Sequence, residues 1–311
     1  MIISVLIFIL GSLFLLISTW YFIKLTEHVS MALKLSPLII GLTVVSIGTS
    51  LPELTISSIA AYRGDIGLAT GNIIGSNIVN VFLVFAVGIL SGKLRIGTTK
   101  TQRNIYILCG VTGLFLLFYF FRIPNLVAGI ILLFLTLLIT SIEYFWGTDG
   151  RKHEDAALFK KKINYSLKVF DIFKLMISLT GVVIGGILMV TSTEQLAVLL
   201  GFSTTILGLS ITAIVTSLPE LLTTIFSQQD HEEKMTIGNI IGSNIYNLTL
   251  IGGLILCVST SLTLITYEMF MLILATLVIA SIVVIYSGKV IPKTIGYLLL
   301  GLFVIYIYFL R

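Results

Sequence analysis

Charge is what this sequence has least of: Asp, Glu, Lys and Arg make up 11% of its 311 residues, against roughly 25% in an ordinary soluble domain. With 57% hydrophobic residues, that scarcity excludes a water-soluble globular chain and predicts an all-α integral membrane protein. Cysteine is nearly absent as well. Cys109 and Cys257 both fall inside apolar stretches, which excludes a disulfide framework and a thiolate metal cluster. The first apolar stretch, Ile2 to Ile23, lacks the basic leader and small-residue cleavage pattern of a signal peptide, so it is read as a spanning helix.

What is there instead is a series of apolar runs near the roughly 20 residues that cross a bilayer. They cover 2–23, 37–62, 71–91, 104–121, 125–143, 171–192, 203–226, 237–260, 266–286 and 292–310, which predicts ten spans. The net charge of +5 is explained by position rather than by nucleic acid. Alternate loops hold Lys24 and Lys34; Lys93, Arg95, Lys100 and Arg103; the seven basic residues from Arg151 to Lys174; Lys234; and Lys289 and Lys293. That is 16 of the 19 basic residues, and the opposite side has Arg63, Arg122 and Arg311. The positive-inside rule therefore predicts a multi-pass cell-membrane protein with both termini outside and the basic linker 144–170 in the cytoplasm. That linker is too short for a separate folded domain.

The chain also repeats itself. GLTVVSIGTSLPEL at 41–54 returns as GLSITAIVTSLPEL at 208–221, and GNIIGSNIVN at 71–80 returns as GNIIGSNIYN at 238–247, both displaced by 167 residues. Five spans in 1–143 and five in 171–311 separate each residue from its copy by an odd number of crossings, so the halves are expected to be inverted. Inverted repeats bring their copies of a site together near the bilayer midplane. Because the pseudo-symmetry lies within one chain, the protein is expected to act as a monomer.

Of the fourteen acidic residues, only Glu53 and Glu220 lie midway along a predicted span. A carboxylate there costs at least about 2.5–3.5 kcal/mol on insertion scales, and the four motif segments contain no Lys or Arg to offset it. A bound cation is the expected partner. Pro52 and Pro219 precede the two glutamates and leave the carbonyls of Gly48 and Val215 without their helical bonds. Thr49 and Thr216 stand one turn before the glutamates on the same face. In the second motif Asn72, Ser76 and Asn80 step by four, as do Asn239, Ser243 and Asn247. For Asn72 and Asn239, helix-to-helix hydrogen bonding and ion binding are equally good readings. Gly71 with Gly75, and Gly238 with Gly242, are read as packing surfaces. The inventory is an oxygen cage without His or Cys. Such cages suit hard cations such as Ca²⁺ and Na⁺ rather than zinc or copper, and two glutamates neutralise one divalent ion. No cofactor is expected.

These residues carry a resemblance. GTSLPE at 48–53, TSLPE at 216–220 and the two GNIIGSN segments resemble the α-repeats of the calcium/cation antiporter superfamily, in particular its sodium/calcium exchanger branch. The match is dense over 41–84 and 208–251. The resemblance implies exchange of Ca²⁺ for Na⁺ by alternating access, without the large cytosolic regulatory domain of some relatives. It implies a Ca²⁺ site made by Glu53, Glu220, Thr49 and Thr216. Sodium would use Ser46, Thr49, Ser50, Glu53 and Ser76 on one side, and Ala213, Thr216, Ser217, Glu220 and Ser243 on the other, with Asn80 and Asn247 in the middle. The first and sixth helices would be long, loosely packed and able to slide.

The sequence departs from the family pattern in three places. Asn247 stands where an acid is common, leaving two carboxylates in the pocket. Ser46 occupies a position that is often alanine. Val215 replaces the glycine found at Gly48, which predicts a tighter second helix break and unequal half-sites. The alternative reading is a proton-driven antiporter of calcium or another divalent cation. A channel fits less well because the symmetry is internal and inverted. An enzyme is not expected, since the chain has neither a nucleophile beside a base nor an HExxH motif.

Overall fold

A computed structural model describes residues 2–32, 46–97, 99–149, 169–229, 233–259 and 266–310. The described residues are helical apart from short connecting turns and two isolated β-bridges, Arg95 with Val290 and Ile96 with Ser287. The first half contains α1 (Ile2–Ala32), the short α2 (Ser46–Thr49), α3 (Leu51–Tyr62), α4 (Ile66–Val79), a π-helical turn at Asn80–Val84, α5 (Phe85–Ser91), α6 (Thr99–Phe120) and α7 (Asn125–Asp149). The second contains α8 (Val169–Leu200), α9 (Thr204–Leu207), a π-helical turn at Gly208–Thr212, α10 (Ala213–Thr216) and α11 (Leu218–Gln229). It continues with α12 (Glu233–Tyr246), a third π-turn at Asn247–Ile251, α13 (Gly252–Val258), α14 (Thr266–Ile285) and α15 (Lys293–Tyr308). Ser46 and Ala213, Leu51 and Leu218, Ile66 and Glu233, Asn80 and Asn247, and Phe85 and Gly252 all begin matching elements 167 residues apart.

Eight helical runs among the described residues are long and apolar enough to cross a membrane, and Lys293–Tyr308 is a shorter apolar helix. Of the predicted second span, 37–45 lies outside the described residues. Predicted boundaries shift where local chemistry extends a helix. Asp65 accepts the Leu68 amide at 2.9 Å, a side-chain N-cap that starts α4 five residues before the predicted 71. The fifth helix runs on to Asp149, into the first residues assigned to the linker, most of which lies outside the described residues.

The outer helices present apolar side chains outward, among them Ile2, Leu6, Leu10, Phe134, Leu137 and Phe270. In water so much exposed apolar surface would be untenable; in lipid it is the required solvent-facing surface. The first and sixth helices, α1 and α8, are long, as expected, and they run antiparallel against each other. A methyl group on Gly185 would lie 2.6 Å from Leu15 N, and one on Gly11 would lie 2.9 Å from Leu188 Cβ. Ser4 donates to Gln195 Oε1 at the far end of the pair. Small residues thus let these two backbones meet closely where no hydrophobic force drives helices together.

The interior is formed by α2 to α5 and α10 to α13. Gly71 and Gly75 act as packing surfaces, as expected. A methyl on Gly71 would sit 2.6 Å from Thr205 O, and one on Gly75 2.8 Å from Leu209 O. Helix α4 therefore lies directly on the segment that leads into α10. Loops on one side are tied together by Ile96 N–H donating to Lys289 O and Ile291 N–H donating to Leu94 O. On the other side Arg63 pairs with Glu194 at 3.2 Å, and Thr204 donates to Asp65 Oδ1 at 2.8 Å.

Candidate cation site

Both proline-containing helices break one residue before the proline's turn begins, at Ser50 and at Ser217. Backbone angles at the breaks are φ −84°, ψ 8° at Ser50 and φ −82°, ψ 6° at Ser217. The expectation that Val215 tightens the second break is therefore incorrect. The torsion is set by the shared Ser-Leu-Pro-Glu sequence, and residue 215, two residues back, is only partly buried.

Each break swings its glutamate into the interior, where the halves exchange hydrogen bonds. Ser217 Oγ donates to Glu53 Oε1 at 3.2 Å, and Ser50 Oγ donates to Glu220 Oε1 at 3.3 Å. Thr216 Oγ1 lies 3.3 Å from Asn72 Oδ1 and from Ser76 Oγ. In mirror fashion Thr49 Oγ1 lies 3.4 Å from Asn239 Oδ1 and 3.5 Å from Ser243 Oγ. Each threonine also reaches the carbonyl three residues back, Ser46 O or Ala213 O, at 3.2 Å. Every residue in the expected ion set, namely Ser46, Thr49, Ser50, Glu53, Ser76, Asn80, Ala213, Thr216, Ser217, Glu220, Ser243 and Asn247, is at most 3% exposed. The structure thus brings the two motifs of both halves to one buried place.

Four side-chain oxygens in this group have no hydrogen-bond partner within the protein: Glu53 Oε2, Glu220 Oε2, Asn80 Oδ1 and Asn247 Oδ1. Buried polar atoms are almost always satisfied, and a carboxylate oxygen left alone in a low-dielectric interior is expensive. Four such oxygens, at two pairs of repeat-equivalent positions, are atoms that a bound cation would satisfy. Hydroxyls, amide oxygens and carboxylates are the donors that Ca²⁺ and Na⁺ accept.

Some contributors were missed in the sequence. Asn80 Nδ2 donates to Asn244 Oδ1 at 3.0 Å and Asn244 Nδ2 to Asn77 O at 3.4 Å, a seam across the halves. Asn77 and Asn244 belong to the GNIIGSN motif, but they lie off the four-residue stripe and so carry no periodic signal. Asn72 resolves toward helix pairing: its Nδ2 donates to Ser57 Oγ at 2.9 Å and Glu53 O at 3.4 Å. The π-turns at Asn80 and Asn247 leave no compositional mark either. Each widens the helix at the asparagine and redirects its side chain. Finally, Glu143 and Glu268 are also buried, at 6% and 0% exposure, so the two site glutamates are not the only buried acids. Both stand near helix ends, where span lengths judged from hydropathy are least exact.

Comparison with known proteins agrees with this geometry. The family model described as "Sodium/calcium exchanger protein" matches residues 3–145 and 171–311. The chain is 30% identical over 290 residues to the sodium/calcium exchanger MaX1 of Methanosarcina acetivorans, covering 81% of this chain and 82% of the relative. It is 32% identical over 307 residues to the uncharacterized membrane protein MJ0091 of Methanocaldococcus jannaschii, covering 98% and 97%. Among solved structures, the sodium-calcium exchanger NCX_Mj soaked with Na⁺ and Sr²⁺ superposes with a TM-score of 0.66 at 30% identity, covering 100% of this chain and 99% of that one. With the family model spanning both halves and the paired motifs of the two halves meeting at one buried place, the chain belongs to the sodium/calcium exchanger protein family.

Proposed function

We propose that this exchanger carries Ca²⁺ and Na⁺ alternately through the single pocket between its halves, with Glu53 and Glu220 as the charged ligands for both. The observation that carries this reading is the pair of buried, unpartnered carboxylate oxygens, Glu53 Oε2 and Glu220 Oε2, in motif segments free of Lys and Arg. Two carboxylates neutralise one Ca²⁺, with Thr49 and Thr216 completing the central site. Sodium draws on the flanking groups: Ser46, Ser50 and Ser76 on one side, Ala213, Ser217 and Ser243 on the other. Asn80 and Asn247 supply amide oxygens between them. Because the ligands are shared, the two ions exclude each other. A carrier that changes its facing only when loaded then couples their movements in opposite directions.

In this reading the fold is ten transmembrane helices in two inverted five-helix repeats. Repeat-equivalent α1 and α8 run antiparallel, as helices of an inverted pair do, and the reciprocal hydrogen bonds Ser217–Glu53 and Ser50–Glu220 fit a two-fold relation between the halves. The loops tied by Ile96 and Lys289 belong to the basic set, and those joined by Arg63 and Glu194 to the opposite set. This fits a membrane orientation with both termini outside and the 144–170 linker in the cytoplasm. Alternating access runs through sliding of the α1–α8 pair across the other helices, and one chain carries the whole cycle as a monomer.

The test is uptake of radioactive calcium into proteoliposomes preloaded with Na⁺, compared with vesicles holding K⁺ or choline and with vesicles holding only a pH gradient. Uptake that requires internal Na⁺ is the expected result. Uptake driven by the pH gradient alone would replace sodium with protons as the coupling ion and overturn the proposed couple.

A further inference from the structure

One buried hydrogen bond reaches the site from outside the repeat motifs. Tyr306 in α15 is fully buried, and its hydroxyl donates to Leu209 O at 2.6 Å, across 97 residues of sequence. Leu209 lies in the π-turn Gly208–Thr212, immediately before α10 with its Ala213 and Thr216. In an α-helix the Ala213 amide would be aimed at Leu209 O. Here it is aimed instead at Gly208 O and Ser210 O, so the widened turn gives up that bond and the phenol supplies a donor in its place. Leu209 O is also confined from the opposite side, since a methyl on Gly75 would lie 2.8 Å from it. The Tyr306 ring is held by stacking on the Tyr267 ring, at 6.4 Å with 2° between the planes; the Tyr267 hydroxyl goes to the Tyr306 backbone carbonyl, at 3.1 Å, and not to the phenol.

The repeat counterpart of Tyr306, 167 residues earlier, is Ile139 in α7. It is buried to a similar degree, at 6% exposure, but can donate no hydrogen bond. We propose that Tyr306 is a positioning residue that holds the π-turn Gly208–Thr212 open and thereby orients the Ala213 carbonyl for sodium in the second half-site.

The mechanism follows from competition for one acceptor. Without the hydroxyl, the donor that regular α-helical bonding would bring to Leu209 O is the Ala213 amide. Taking it closes the π-turn to an α-turn and rotates the Ala213 carbonyl out of place. Thr216 loses its 3.2 Å contact with the Ala213 carbonyl but is also held from α4, through Asn72 and Ser76 at 3.3 Å each, so the calcium ligands are disturbed less than the sodium ligand. The inference rests on the ligand assignment proposed above, in which sodium uses the Ala213 carbonyl and calcium does not.

The experiment measures exchange by Tyr306→Phe in proteoliposomes, titrating Na⁺ and Ca²⁺ separately, with Tyr267→Phe and Glu220→Gln in parallel. The expected result is that Tyr306→Phe raises the half-saturating Na⁺ concentration by roughly fivefold, the scale of one net hydrogen bond, and leaves that for Ca²⁺ within about twofold. Tyr267→Phe, which leaves the Leu209 bond in place, should alter neither ratio. Equal shifts for both ions in Tyr306→Phe, or the same behaviour in Tyr267→Phe, would reduce Tyr306 to a packing residue and overturn the proposal. Absence of Tyr306→Phe from the membrane would do so as well, because loss of one hydroxyl from a positioning residue leaves the ring packing intact. If Glu220→Gln still exchanges normally, the ligand assignment fails first, which separates the two failures.

Discussion

Each half-site is completed by the other half. Ser217 serves Glu53 and Ser50 serves Glu220, at nearly equal distances and with nearly equal backbone angles at the two breaks. Ser50→Ala and Ser217→Ala should therefore weaken exchange to a similar extent, within about threefold of each other, since each removes one hydrogen bond of similar kind. Parallel initial-rate measurements check this, and a much larger loss at one serine would show that the carboxylates are not equivalent. Glu53→Gln and Glu220→Gln should each abolish calcium transport while the protein stays folded in the membrane. Asn247 has both side-chain polar atoms unpartnered. In Asn247→Asp the added carboxyl binds a proton where the amide does not, so exchange should fall as pH falls, more steeply than in the parent protein. A pH profile identical to the parent's would remove Asn247 from the pocket.

At the level of elements, the helices are shaped by where glycine permits contact. Gly75→Ala places a methyl 2.7 Å from Ala213 Cβ and 2.8 Å from Leu209 O. Backbone cannot yield as a flexible side chain does, so α4 and the π-turn must separate, at a cost of about 1–3 kcal/mol. Gly113→Ala in α6 meets nothing within 4 Å and should be neutral or stabilising by about 0.5–1 kcal/mol. Thermal unfolding in detergent distinguishes the two, and equal effects would contradict the packing described for α4. Helix identity was legible from apolar run length, and the paired sites from the 167-residue repeat. The breaks at Ser50 and Ser217 were legible from Pro52 and Pro219. The π-turns were not, because one extra residue in a turn leaves an apolar run unbroken; nor was the start of α4, where a lone aspartate cap adds to the helix a turn that hydropathy does not mark.

For the whole molecule, the sequence carried the class and the family, since scarce charge and duplicated TSLPE and GNIIGSN motifs do not require coordinates to be read. Asymmetry was harder to see. The Val215 substitution suggested unequal helix breaks that turn out alike, whereas the difference between Tyr306 and Ile139 lies far from either motif and becomes visible once α15 is seen against the π-turn. The central claim is that one buried pocket with two carboxylates accepts either ion and never both. Equilibrium binding of radioactive calcium to the purified protein, with Na⁺ titrated against it, tests this most directly. The account expects one saturable calcium site that Na⁺ empties with a sigmoidal curve, and that is missing in both Glu53→Gln and Glu220→Gln. Calcium binding that persists at saturating Na⁺, or survives either substitution, would contradict it.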